Sequence, residues 1–361
     1  MSSESDRRYM ARALELAERG LYTTSPNPHV GCVIVRDGVV VGEGWHERAG
    51  EPHAEVHALR AAGAKAEGAT VYVTLEPCSH HGRTPPCAQA LVAAKVGRVV
   101  AAMQDPNPLV AGKGLGMLRA AGIDTESGVL RAEANALNPG FVSRMTRARP
   151  WVRMKIAASL DGKTALLNGR SQWITGTEAR RDGHRWRARA CVVLTGVGTV
   201  RDDDPQLTVR EVETTRQPLR VVVDSRLETP ASARVMGVGT LIAAAVDDPV
   251  RGEALRAQGS EVILLPGDRG KVDLHALMRE LARRGTNEVH VEAGHKLNGS
   301  LLREGLVDEL LIYVAPRILG DSARGMFNLP ELTELSESTE LAFGDVTTIG
   351  QDLRVIAKVK N

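Results

Sequence analysis

Pro52-His53-Ala54-Glu55-Val56-His57, answered about twenty residues later by Pro77-Cys78-Ser79-His80-His81-Gly82-Arg83-Thr84-Pro85-Pro86-Cys87, decides how this chain is read. The two stretches offer one imidazole, one nearby carboxylate and two thiols, each Cys directly after a proline. Three such ligands with a fourth position left open make a catalytic zinc site rather than a structural one. Glu51-Pro52 sets a helix start at His53, and at a first turn His53 and Glu55 can flank the helix end and converge on one metal. Cys87 follows Pro86 at a second helix start, where free N–H groups favour the thiolate that zinc requires. The carboxylate of Glu55 is then the proton carrier for a water activated there. His57 stands one turn after His53 and competes as a ligand, but the zincin pattern needs Glu directly after the first His, where Ala54 stands. His46, His80 and His81 are further rivals. A lone histidine is more often a packing or surface residue than a ligand, which leaves His53, Cys78 and Cys87 as the metal set.

Working outward, 361 residues exceed one ordinary domain, and two are expected. Apolar residues at 43% and charged residues at 25% match an average globular protein, while aromatics at 3% leave the cores to Val, Leu, Ala and Ile. Lys plus Arg number 46 against 44 Asp plus Glu, so the basic footprint of a nucleic-acid binder is lacking. No apolar run approaches the roughly 20 residues that span a bilayer, and Met-Ser-Ser-Glu-Ser-Asp-Arg-Arg does not read as a signal peptide. Of four cysteines, Cys32 and Cys191 lie in apolar runs and read as buried packing residues. Sparse Cys without an export signal points to a reducing cytoplasm, where paired Cys bind metal more often than they form disulfides.

Helix and strand patterns alternate in the first half. Apolar Met10, Leu14 and Ala17 predict a helix over 6–19, with further helices over 52–62, 86–94 and 114–121. Strands are predicted over 30–35, 39–44, 71–75 and 99–103. The basic run Arg144-Met-Thr-Arg147-Ala-Arg149-Pro150 reads as an irregular junction. Beyond it, strands are predicted over 151–158, 191–194, 219–223, 241–246, 262–265, 289–292 and 310–314, with helices over 178–188 and 274–284. Gly196-Val-Gly198 lacks the third glycine of a dinucleotide fingerprint. Val289-His-Val-Glu-Ala-Gly-His-Lys-Leu-Asn-Gly-Ser300 reads as a strand, a glycine turn and a helix whose free N–H groups can hold phosphate. Each half is a sheet covered by helices.

His-x-Glu with Pro-Cys and a later Cys is the arrangement of the zinc deaminases. The eight residues between Cys78 and Cys87 depart from the commoner Pro-Cys-x-x-Cys. With His53-Ala-Glu-Val-His-Ala-Leu59, that spacing resembles the bacterial bifunctional riboflavin-biosynthesis deaminase/reductase family. Four further blocks carry the resemblance across essentially the whole chain: Ser25-Pro-Asn-Pro-His-Val-Gly31, Asp105-Pro-Asn-Pro108, Met154-Lys-Ile-Ala-Ala-Ser-Leu-Asp-Gly162 and Val291-Glu-Ala-Gly294.

The resemblance implies an α/β chain with a cytidine-deaminase-like three-layer αβα domain over 1–147. A dihydrofolate-reductase-like α/β domain would follow over 148–361. The first would deaminate a diamino phosphoribosylaminopyrimidine with zinc on His53, Cys78 and Cys87 and Glu55 as proton shuttle. Asn27, His46, Arg83, Asp105 and Asn107 match substrate positions, although on sequence physics Asn27 and Asn107, each in Pro-Asn-Pro, read as turn residues. The second domain would reduce the ribose of the product to a ribityl chain with NADPH. Ala157, Trp173, Thr199, Asp203, Ser225 and the loop of Gly294, His295, Lys296, Leu297, Asn298, Gly299 and Ser300 match its cofactor positions, with Arg226 a candidate for the 2′-phosphate. Ser171, Arg187, Leu207, Arg210 and Glu292 match substrate positions, the arginines as phosphate holders. Lys155 and Asp161 are read as groups that polarise the sugar or relay protons. A cytoplasmic homo-oligomer acting on small molecules, without nucleic acid or membrane, is expected. The rival readings are a nucleic-acid base deaminase and a non-catalytic zinc-stabilised nucleotide-binding protein.

Overall fold

The computed structural model describes residues 3–79 and 86–360. The chain divides into two compact units, Met1–Ala148 and Arg149–Asn361, each with its own sheet and core.

The first unit holds strands β1 (Gly31–Arg36), β2 (Val39–Trp45), β3 (Thr70–Val73), β4 (Arg98–Ala101) and β5 (Asp124–Ser127), and helices α1 (Glu4–Glu18), α2 (Ala54–Ala62), α3 (Cys87–Ala93), α4 (Lys113–Ala120), α5 (Arg131–Leu137) and α6 (Pro139–Arg147). The sheet order is β2-β1-β3-β4-β5, antiparallel at the β2-β1-β3 end and parallel beyond. Helices cover both faces, and glycines show how closely. A Cβ on Gly31 would stand 1.9 Å from the Ala13 carbonyl of α1, and one on Gly44 would stand 2.5 Å from the Ala54 carbonyl of α2. Because Gly44 pairs with Cys32 and not with Gly31, the two helices lie on opposite faces. That contact fixes the first turn of α2, and with it the site.

The second unit holds strands β6 (Trp151–Ser159), β7 (Lys163–Ala165), β8 (Val192–Gly196), β9 (Leu219–Val223), β10 (Thr240–Ala244), β11 (Glu261–Leu264), β12 (Glu288–Val291), β13 (Glu309–Ala315), β14 (Arg324–Gly325), β15 (Leu341–Ile349) and β16 (Asp352–Val359). Its helices are α7 (Thr177–Arg189), α8 (Val197–Asp203), α9 (Pro249–Arg256), α10 (Leu274–Arg283) and α11 (His295–Arg303). Nine strands run in the order β11-β10-β9-β8-β12-β6-β13-β16-β15, parallel from β11 to β13 and closed by the antiparallel hairpin β15-β16, with β7-β14 a separate ribbon. Alternate residues of the parallel strands feed two cores: Val192, Leu194, Val221 and Leu241 on one face, Val193, Val222 and Ile242 on the other. Burial on both faces explains why these strands read as unbroken apolar runs. Among the described residues no helix is long and apolar enough to cross a membrane.

The structure differs from the sequence expectations in several places, and helices α5, α8 and α9 and the hairpin strands β15 and β16 have no counterpart among the elements read from the sequence. The junction expected to be irregular is helical through Arg147, the last residue of α6. Strand β5, Asp-Thr-Glu-Ser, carries no apolar signal because it is a polar edge. The stretch after β12 folds as the sequence reads, a glycine turn followed by a helix: Gly294 is the N-cap and His295–Ser300 lie in α11.

Candidate active sites

In the first unit, His53 is the N-cap of α2 and Cys87 the first residue of α3, so two helix starts face each other. The ligand atoms of His53, Cys78 and Cys87 lie within 4.8 Å of one another, with His53 Nδ1 3.6 Å from Cys78 Sγ and 3.3 Å from Cys87 Sγ. The Cys87 N–H donates to Cys78 Sγ (3.3 Å). Hydrogen bonding between Cys78 and Cys87, with His53 beside them, pulls the Cys78 thiol down to about 4, so the pair readily holds one thiolate. One imidazole nitrogen and two sulfurs around a common point fit a tetrahedral zinc with one open position. His57 is not part of this group; Arg83 and His81 lie outside the described residues.

Glu55 follows His53 by two residues and is 3% exposed. Burial pushes its carboxyl pKa up, partly offset by the attraction of His53, which suits a group that must take and return a proton. His46 stacks edge-on against His53, ring centroids 5.4 Å apart. Its Nδ1 lies 3.1 Å from the Pro52 carbonyl and its Nε2 lies 3.0 Å from Asn27 Nδ2. Both contacts are satisfied by a neutral ring with the proton on Nδ1, and burial pushes the His46 pKa down accordingly. Asn27 thus sits next to the metal group through one ring. Asp105 and Asn107 share a turn in which Asp105 Oδ1 accepts the Asn107 N–H (2.8 Å) and Asn107 Oδ1 accepts the Leu109 N–H (3.0 Å).

In the second unit the register of β12 on β6 runs to Val291 opposite Met154, bringing Glu292, just past the end of β12, beside Lys155 in the middle of β6. Burial pushes the Lys155 ammonium down, and Glu292 acts against that shift. Arg187, on α7, grips both oxygens of Glu292, one of them at 2.9 Å, and also donates to the Thr208 carbonyl (3.1 Å). Burial alone would raise the Glu292 pKa; Arg187 holds it well below the ordinary carboxylate range. Arg187 is therefore spent on Glu292, which weighs against its expected role as a phosphate holder. The exposed Arg210 is better placed: after burial, Arg187 and Arg234 are the groups that lower its pKa, so three guanidinium groups share one neighbourhood. Arg234 has no motif around it, and the sequence offers no signal for it. Leu207 is buried with a left-handed backbone, φ 55°.

Asp161 stands in the turn after β6. Its carboxylate accepts from the Ser159 hydroxyl and from the N–H groups of Leu319 (3.1 Å) and Gly320 (2.8 Å), the Ser159 bond first among the contacts that lower its pKa to about 2. It ties the turn after β6 to the 319–320 backbone. Thr199, in the first turn of α8 after β8, and Gly294, the N-cap of α11 after β12, stand side by side, and a Cβ on Gly294 would lie 3.7 Å from Thr199 Oγ1. The first N–H groups of α11 have no partner within the helix and suit a pyrophosphate. Farther along, Asn298 donates to the Met326 carbonyl (3.3 Å), Gly299 packs on Asn328, and the Ser300 hydroxyl donates to the Lys296 carbonyl (3.2 Å). Asn298 and Gly299 serve packing of α11, and Gly294, His295 and Lys296 form the end that can meet a ligand. Asp203 Oδ1 accepts from Ser171 (3.0 Å), joining a cofactor position to a substrate position. Ser225 Oγ accepts the Val272 N–H (3.2 Å), and the Arg226 carbonyl accepts from Arg251 (3.1 Å). Trp173 is 63% exposed beneath the Arg180 guanidinium, 4.6 Å from the ring centroid.

Residues 3–103 match the cytidine and deoxycytidylate deaminase zinc-binding region, and residues 150–355 match the RibD C-terminal domain. The riboflavin biosynthesis protein RibD of Escherichia coli (strain K12) is 51% identical over 363 residues, which cover 96% of this chain and 98% of the relative. The chain belongs to the bifunctional riboflavin-biosynthesis deaminase/reductase family. Members of that family also share the whole fold. The Acinetobacter baumannii RibD structure (form 1) superposes with a TM-score of 0.92 at 44% identity, covering 99% of both chains. The Thermotoga maritima diaminohydroxyphosphoribosylaminopyrimidine deaminase/5-amino-6-(5-phosphoribosylamino)uracil reductase superposes with a TM-score of 0.86 at 33% identity over the same share. The chain is thus an enzyme of riboflavin biosynthesis with a cytidine-deaminase-like zinc-binding domain and a reductase domain.

Proposed function

We propose that the first unit hydrolytically deaminates 2,5-diamino-6-(5-phosphoribosylamino)pyrimidin-4(3H)-one. The second unit then reduces the ribose of 5-amino-6-(5-phosphoribosylamino)uracil to the ribityl chain with NADPH. The observation that carries the reading is the convergence of His53, Cys78 and Cys87 beside the buried Glu55. A zinc ion held by those three supplies Lewis acidity and brings the pKa of a water toward neutrality. Glu55 carries one proton of the attacking water to the ring nitrogen and the second to the amine, which leaves as ammonia. His46, neutral and held by Pro52 and Asn27, keeps the His53 ring in place while Asn27, Arg83, Asp105 and Asn107 hold the pyrimidine phosphoribosyl group.

NADPH supplies the hydride for the second step. Gly294, His295 and Lys296 at the start of α11, with Thr199, bind its pyrophosphate; Ala157, Trp173, Asp203 and Ser225 line the rest. Lys155 polarises the open sugar carbonyl, and Glu292, fixed by Arg187, keeps the ammonium in place. Ser171, Leu207 and Arg210 bound the substrate, Arg210 on its phosphate.

Among the described residues none of the four cysteines forms a disulfide, which suits a reducing cytoplasm. A homo-oligomer is supported by residues 328–346, exposed throughout and carrying Leu335 at 91% and Phe343 at 77% exposure. Glu55→Gln tests the deaminase reading. It should retain zinc and reductase turnover while ammonia release falls about 10²- to 10⁴-fold; loss of the metal instead would make Glu55 a ligand and end its role as shuttle.

A further inference from the structure

One buried carboxylate has no part in the deaminase reading so far. Glu76 is 5% exposed and precedes Cys78 by two residues. Its own N–H donates to the Met103 carbonyl (2.9 Å), so it stands where the chain leaves β3 beside the end of β4. Its side chain accepts from four backbone N–H groups. Oε2 takes those of Asp105 (3.1 Å) and Gly112 (2.9 Å), and Oε1 takes those of Gly114 (2.9 Å) and Leu115 (3.2 Å). Asp105 and Gly112 bracket the loop that bears Asn107. Gly114 and Leu115 are first-turn donors of α4, whose N-cap Gly112 has no side chain to satisfy them. A single carboxylate therefore closes the loop 105–112 and caps the helix that follows it. Pro77 adds a steric limit, since a Cβ on Gly114 would stand 1.9 Å from its carbonyl oxygen.

We propose that Glu76 is a positioning residue of the deaminase, fixing the loop with Asp105 and Asn107 to the same turn that carries Cys78. The inference rests on the assignment of Asp105 and Asn107 to substrate binding. A carboxylate is required because four donors need the lone pairs of two oxygens. Glutamine offers one oxygen and sets its NH₂ against two N–H groups.

In the full chain loaded with zinc, Glu76→Gln should raise KM for the diamino substrate about ten- to hundredfold with little change in kcat. Zinc content and reductase turnover should hold, and hydrogen exchange should quicken over residues 104–116 but not elsewhere in the first unit. Unchanged KM despite faster exchange overturns the proposal. Loss of zinc without a rise in KM also overturns it, by making Glu76 a support for the Cys78 turn alone. If Glu76→Gln does not fold, Gly112→Ala strains the same loop from its far end, where φ is +77°. It should give the same rise in KM with zinc retained, and an unchanged KM again overturns the role. Asp105→Asn separates this inference from the reading beneath it, because the amide keeps an acceptor for the Asn107 N–H while removing the charge offered to substrate. Unchanged KM in that variant removes Asp105 from the binding site. A raised KM there beside an unaffected Glu76→Gln overturns only the part given to Glu76.

Discussion

Gly44→Ala puts the placement of the deaminase site to a quantitative test. Gly44 lies on β2 under the first turn of α2, and the added methyl would sit 2.5 Å from the Ala54 carbonyl oxygen and 2.6 Å from both Ala58 N and His57 Cβ. Ordinary contact begins at 3.4 Å, so the helix must retreat by about 0.9 Å at Ala54, between His53 and Glu55. Zinc–ligand distances tolerate only about 0.2 Å, and a misplacement of about 1 Å at a reacting group costs on the order of 10²-fold in rate. Overpacking of this kind also destabilises by about 1–3 kcal/mol. The variant should therefore bind less than one zinc per chain, release ammonia about a hundredfold more slowly and melt earlier in its first unit. Its reductase, assayed on the preformed deaminated substrate with NADPH, should be unaffected. Metal analysis, ammonia release and calorimetry read the three effects on one preparation. Full zinc, full deaminase activity and an unshifted melting transition would refute the claim that β2 sets the position of His53 and Glu55.

Three other outcomes follow from the second unit. Lys155→Met should lower reductase kcat while NADPH still binds, as read by cofactor fluorescence, because the ammonium acts on the sugar and not on the cofactor. Glu288 is gripped by Arg153 and Arg189, at 2.8 and 2.9 Å; burial opposes its ionisation, yet the arginines hold its pKa down to about 2. A depressed folded pKa contributes stability above the unfolded value of about 4.3, lost as pH falls toward about 2. Glu288→Gln should flatten that acid limb in urea melts and, by removing the charge that Arg153 and Arg189 share while Arg153 keeps Glu309, cost about 1–3 kcal/mol at neutral pH. A fragment of residues 149–361 should fold and reduce the deaminated substrate with NADPH; a folded fragment that binds no NADPH would contradict the assignment of that unit.

What could be read from the sequence was chemistry held in short segments. His53, Glu55, Cys78 and Cys87 are flagged by prolines at two helix starts, and the parallel strands by apolar runs such as Cys191–Leu194. What could not be read depends on partners far apart in the chain. Arg187 reaches Glu292 across 105 residues, and without that pair the arginine reads as a phosphate ligand. Asp161 reads as a group beside Lys155, and its bonds to the Leu319 and Gly320 N–H groups could not be read from the sequence. Glu76 gives no signal at all, because its four partners are backbone N–H groups, which every sequence contains. Helix α11 shows the middle case: strand, glycine and helix were legible, but which side of the helix faces a ligand depends on Met326 and Asn328 packing against it.

The most direct test of the account offers the whole chain, loaded with zinc, the diamino phosphoribosylaminopyrimidine in two stages. Ammonia should appear in one equivalent without NADPH, and later addition of NADPH should then be oxidised in one equivalent per ammonia released. NADPH oxidation that precedes ammonia, or ammonia that never appears from this substrate, would contradict it.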